Sequence, residues 1–249
     1  MDAIKVHKHY EDYAKKYLNI PNVNFEGLDP LVINEMLEAL IYAYKKYPEL
    51  RNVFCSIGNF EDLKAHFSLA ENYYEEMVTE SESDMFIIWS LLNRKTHNNF
   101  IGLSYSKNLV GKTLKEVDEV TCNDAKRGLH PQSCTTFKSS VYHEIGHIFD
   151  FILRLRKDPN FLKIIHEKYP YESMYTEFSR YSITLEEFIA EVFAEYMMNP
   201  NSDEFVNKVG KYIDRKYEIL KGMGIFNINE IYWRHIRRAE FESTYARSK

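Results

Sequence analysis

Residues 136–156 pose a packing problem that restricts how this chain can fold. The stretch reads as a helix, and Val141, Ile145, Ile148 and Phe149 give it an apolar face suited to burial. The same helix carries His143-Glu144-Ile145-Gly146-His147. Burying two histidines and a glutamate is costly unless each polar group finds a partner. His143 and His147 lie one turn apart, so both imidazoles project from one face and can hold one metal ion. Glu144 lies beside them, placed to take a proton from a water that such a metal activates. Gly146 lets a second element approach closely. The bland alternative is a surface helix with two solvated histidines, and the apolar positions around the motif argue against it.

A catalytic zinc site keeps three protein ligands and one open position. The third ligand is sought in Leu185-Glu186-Glu187-Phe188-Ile189-Ala190-Glu191-Val192-Phe193-Ala194-Glu195. Here Glu187, Glu191 and Glu195 fall on one helical face at successive turns. Glu195 is read as solvated. The surroundings of Glu187 and Glu191 are too apolar for that. One of the two should bind the metal, and the other should accept a hydrogen bond from the outer nitrogen of a ligating histidine.

These two motifs together resemble the gluzincin zinc peptidases, and within them the group of anthrax lethal factor and the Pro-Pro endopeptidases. Gly128-Leu129-His130-Pro131 leading into Lys138-Ser139-Ser140-Val141-Tyr142-His143-Glu144 is similar to zincin-like domains of phage-head and polymorphic-toxin proteins. The resemblance spans about residues 100–200. It implies one Zn2+ per chain, His143, His147 and Glu187 as ligands, Glu144 as general base and Glu191 as the carboxylate behind a ligand. It also implies a tyrosine before the third ligand that stabilises the oxyanion. Tyr181 is the match, in a loop one residue shorter than the family pattern, and Tyr175 is the alternative.

The implied activity is zinc-dependent endopeptidase action on a peptide or protein. The alternatives are a catalytically silent zincin-fold module, such as a phage-particle component or an effector, and a zinc hydrolase acting on another substrate class. An extended substrate would pair with an edge strand. Asn99–Tyr105 is the expected strand, with Ile101, Gly102 and Leu103 as substrate-binding positions.

Other residues are read more plainly. Asp150 is expected to anchor its helix rather than bind metal. His130 is a loop-packing residue, or else a contact to the substrate or one behind the site. His7, His9, His66, His97, His166 and His235 show no ligand spacing. Cys55, Cys122 and Cys134 are too few, and odd in number, for a disulfide framework. The basic run Trp233–Arg238 is one face of a terminal helix.

The expected architecture is α+β and zincin-like: a small mixed sheet with helices, a central metal-binding helix and a mostly helical C-terminal lobe. Residues 1–27 form an N-terminal helical segment, 28–157 an α/β lobe with the metal helix, and 158–249 a helical lobe carrying the third ligand. Helices are expected over about 2–18, from Pro30 to about Tyr47, and over 60–79, 159–168, 184–198, 202–222 and 228–245. Strands are expected at Val53–Ile57, Met85–Leu92 and Phe100–Leu109, the last two as a hairpin, and residues 111–134 as mixed, with Gly128 and His130-Pro131 marking irregular chain.

A formal net charge of −5, with both signs spread along the chain, argues against a nucleic-acid binder. The charged N-terminus lacks the apolar core of a secretory signal, and no apolar run reaches transmembrane length. A cytoplasmic location without membrane or nucleic-acid partners is expected, with non-classical export or phage association as alternatives. The oligomeric state is left open.

Overall fold

The computed structural model describes residues 3–59, 61–63, 85–90 and 100–226. Helix α1, Ala3–Tyr17, packs on α2, Pro30–Lys46. Asp29 caps α2 by accepting from Leu31 N–H at 2.8 Å, and Pro30 takes the first helical position, where its missing N–H costs nothing. Pro48 then diverts the chain into a 3-10 turn, Pro48–Asn52.

The sheet holds strands β1, Asn22–Val23; β2, Ser56–Asn59; β3, Met85–Ser90; and β4, Phe100–Tyr105. Their order is β1-β2-β4-β3. β1 and β4 each run parallel to β2, and β3 runs antiparallel to β4 with Ile88 opposite Gly102. The expected hairpin is therefore present. The first strand starts later than expected, at Ser56, because Val53 and Phe54 are buried in the turn that leaves the 3-10 helix.

The expectation that β4 is an edge strand is corrected. It is paired on both sides, and Ile101, Gly102 and Leu103 are buried. The space over Gly102 belongs to Leu63, whose Cδ2 would lie 2.3 Å from a Cβ there. These three residues are thus core, not substrate contacts. Among the described residues, β3 forms the sheet edge on that side, and it lies beside the motif helix.

The stretch expected to be mixed, 111–134, contains a further helix, which ends before the irregular chain at Gly128 and His130-Pro131. α3 runs Leu114–Lys126 and opens with a capping box: Thr113 Oγ1 accepts from Glu116 N–H, and the Glu116 carboxylate accepts from Thr113 N–H. The remaining helices are α4, Phe137–Leu153; α5, Pro159–Lys168; α6, Leu185–Met198; and α7, Glu204–Leu220. Most of the expected 60–79 helix, the 228–245 helix and the basic run at 233–238 lie outside the described residues. Among the described residues no helix is long and apolar enough to cross a membrane.

The chain is therefore mostly helical with a small mixed sheet, and α4 sits in the middle. It touches α2, α3, α6, α7 and β3. One hydrophobic core runs from Ala14 to Phe226. Beneath α4 and α6 the Phe149 and Phe193 rings stack at 5.1 Å, and Tyr47 packs on Phe149 at 4.6 Å. Tyr217 and Phe226 extend this aromatic group.

Candidate metal centre

Two buried helices bring the site together. At the start of α4 the N–H of Phe137 donates to Asp118 of α3 at 2.8 Å, so a neighbouring helix supplies the cap that Thr136 does not. At the start of α6 Thr184 accepts from the N–H of Glu187 itself, which pins that residue in the first turn. The helices meet where α4 has no side chain. A Cβ on Gly146 would lie 2.8 Å from Ala190 Cα and 3.1 Å from its carbonyl oxygen. The close approach expected of Gly146 is thus made by α6.

Across this crossing three donor side chains converge. His143 Nε2 and His147 Nε2 are 3.1 Å apart. Glu187 Oε2 lies 3.2 Å from the first, and Glu187 Oε1 lies 3.7 Å from the second. A tetrahedral centre with bonds near 2 Å spaces its donors by about 3.3 Å, so the set fits a small cation. Glu144 is buried beside it, with an oxygen within 4.8 Å of nitrogens of both histidines. Adjacent helix positions do not share a face, so Glu144 flanks the two imidazoles rather than joining their row.

The electrostatics also favour positive charge. Burial alone would push the His143 imidazolium down. Glu187 and Glu191 outweigh it, and its pKa lies well above the ordinary histidine value. Burial, with the charge on His143, holds His147 down to about 4. Burial raises the Glu187 carboxyl, but the contact with His143 overrides it and the net direction is down.

Behind this set stands Glu191, 1% exposed. Its Oε1 accepts from His130 Nδ1 at 2.9 Å and lies 3.4 Å from His143 Nδ1. Burial pushes this carboxyl up, but the two imidazoles bring it down to about 2. Asp150 accepts from the backbone N–H of Arg156 at 3.0 Å and pairs with its guanidinium, anchoring the end of α4 as expected. Arg156 also donates to Glu186 Oε2 at 2.6 Å, and Glu186 Oε1 lies 4.0 Å from His147 Nδ1.

Two readings change. Glu195 is not solvated: it is 4% exposed and accepts from Ser133 N–H at 3.0 Å, tying the loop before α4 to α6. A helix buried on every side leaves no solvated face for it. Tyr175 is a core ring stacked on Phe188 at 4.5 Å, which removes it as an oxyanion donor. Tyr181 is 39% exposed and packs against the His130 ring at 4.8 Å. The three cysteines are free thiols. Arg156 was missed in the sequence, where it stands as an ordinary charge past the helix end.

Comparison of the chain with models of protein families, with curated proteins and with solved structures finds no match.

Proposed function

We propose that the chain is a zinc-dependent endopeptidase of the gluzincin type, holding one zinc ion through His143, His147 and Glu187. The observation that carries this reading is the convergence of two imidazole nitrogens and one carboxylate within 3.1–3.7 Å, with a buried glutamate at their side. When bound, zinc lowers the pKa of a water toward neutrality and polarises a carbonyl oxygen. The Glu144 carboxylate would accept a proton from a water held beside the donor set and pass it to the leaving amine. The phenol of Tyr181 is the group assigned to the developing oxyanion. Glu191 Oε1 stands 3.4 Å from the outer nitrogen of His143, and a hydrogen bond between them would turn Nε2 toward the ligand position.

The substrate backbone is assigned to the outer edge of β3. That strand lies along α4 and, among the described residues, has a neighbour only on its β4 side. Main-chain pairing there would hold a peptide extended beside the donor set.

The test is cleavage of a peptide library by the zinc-loaded chain, compared with a chelator-treated sample and one reloaded with zinc. Cleavage that chelation abolishes and zinc restores is the expected result. Stoichiometric zinc with no cleavage across the library would instead favour a silent zincin-fold module.

A further inference from the structure

Two loops lead into the two donor-bearing helices, and they are laced together. Residues 128–130 precede α4, and residues 179–181 precede α6. Arg180 N–H donates to Gly128 O at 2.9 Å, Tyr181 N–H to Leu129 O at 3.3 Å, and Ser179 Oγ to Leu129 O at 2.9 Å. Gly128 permits the turn, at φ +72.

This lacing seats His130 between two groups of the site. One side of its ring meets Tyr181 at 4.8 Å. Its Nδ1 lies 2.9 Å from Glu191 Oε1, the same oxygen that stands 3.4 Å from His143 Nδ1. Of the two imidazole contacts on that oxygen, His130 makes the shorter. A carboxylate that is 1% exposed, left with a single long contact, would be a poorly compensated buried charge.

We infer that His130 is a positioning residue of the metal centre. Its Nδ1–H holds Glu191 Oε1 against the outer nitrogen of His143, while its ring sets the position of Tyr181. One side chain thereby serves both a ligand histidine and the tyrosine assigned to the oxyanion. The inference rests on the reading of the site as a metal centre, though its main readout does not require peptidase action.

Two variants separate the two duties. His130→Phe keeps a ring against Tyr181 and removes the donor. His130→Asn keeps a short N–H donor and removes the ring. The measurement is the zinc dissociation constant of the full chain, by competition with a chelating indicator, alongside the melting curve of the metal-free protein. His130→Phe should weaken zinc binding about 10–100-fold, the range typical of losing a partner behind a ligand, and His130→Asn should recover most of it. If His130→Phe loses the native melt, His130→Ala supplies the donor-free comparison. In turnover, His130→Asn should lower kcat at nearly unchanged zinc affinity, through Tyr181.

A wild-type chain that binds no zinc overturns the reading of the site itself. A zinc-binding wild type with an unchanged constant in the donor-free variant overturns the role of His130 alone. Equal weakening in the donor-free and donor-keeping variants would mark His130 as loop packing, and also overturns it.

Discussion

Glu187 Oε2 stands 3.2 Å from His143 Nε2, across the crossing of two helices that are distant in sequence. Two carboxylates, Glu187 and Glu144, lie near the same imidazole pair, and exchange of each should separate their duties. Glu187→Gln should lose stoichiometric zinc, whereas Glu144→Gln should keep it and lose turnover by about 10²–10⁴-fold. Metal analysis after gel filtration, with peptide hydrolysis on the same samples, checks both. The reverse pattern would make Glu144 the ligand. Asp150 and Glu191 are poor substitutes, since each is already engaged by Arg156 or by imidazoles.

Gly146 gives a second test. An added methyl group would meet Ala190 Cα, Ala190 O and Phe193 Cβ, none of which can swing aside. Gly146→Ala should destabilise the chain by about 1–3 kcal/mol, as overpacking does. Because two donors ride on α4 and one on α6, zinc affinity should fall with it. Urea unfolding and zinc competition on one preparation measure the two effects.

Acid stability should report on Asp158, far from the donor set. It caps α5 through Asn160 N–H, accepts from the Tyr212 hydroxyl at 2.8 Å and pairs with Lys216. Burial raises its carboxyl, but Lys216 and Tyr212 carry it below the ordinary 3.8. A depressed folded pKa adds stability that is fully present above 3.8 and is lost as pH falls through the folded value. Asp158→Asn keeps a good cap but removes the charge that Lys216 and Tyr212 face, and should therefore cost about 1–2 kcal/mol at neutral pH, the scale of a hydrogen bond to a charged group. The gap from wild type should narrow in unfolding curves taken below pH 3.8.

Asp214 offers a control for stability without the site. It accepts from Tyr47 at 2.5 Å and Tyr196 at 2.6 Å, and Lys46 lies 3.2 Å away. Removing the carboxylate strands two hydroxyls. Asp214→Ala should lower the unfolding free energy by about 2 kcal/mol while leaving the zinc constant unchanged. A comparable loss of zinc affinity would tie this cluster to the donor set.

The parts legible in the sequence were those written in local periodicity. α4 and α6 follow from apolar spacing, and the one-turn separation of His143 and His147 is helix geometry alone. Gly146 was readable because an internal helix glycine invites close approach. What was not legible depends on tertiary neighbours. The alternation of Phe100–Tyr105 is equally compatible with an edge or a central strand, and only the placement of β2 decides it. Glu195 looks solvated until α6 is seen buried all round. α3 carried a local signal, Thr113 with Glu116 three residues on, which its polar composition obscured. Arg156 reaches Glu186 only because Arg154 turns the chain back through a left-handed conformation, φ 57.

The aromatic stack of Phe149 and Phe193 also bears on how the donors move. Both donor helices are walled in by it and by the core on either side, so their amides belong to the most protected class in hydrogen exchange. Residues 141–149 and 188–197 should then exchange with solvent only when the whole molecule opens. Metal entry and release would proceed through side-chain rotation at the crossing, on a backbone that stays closed throughout.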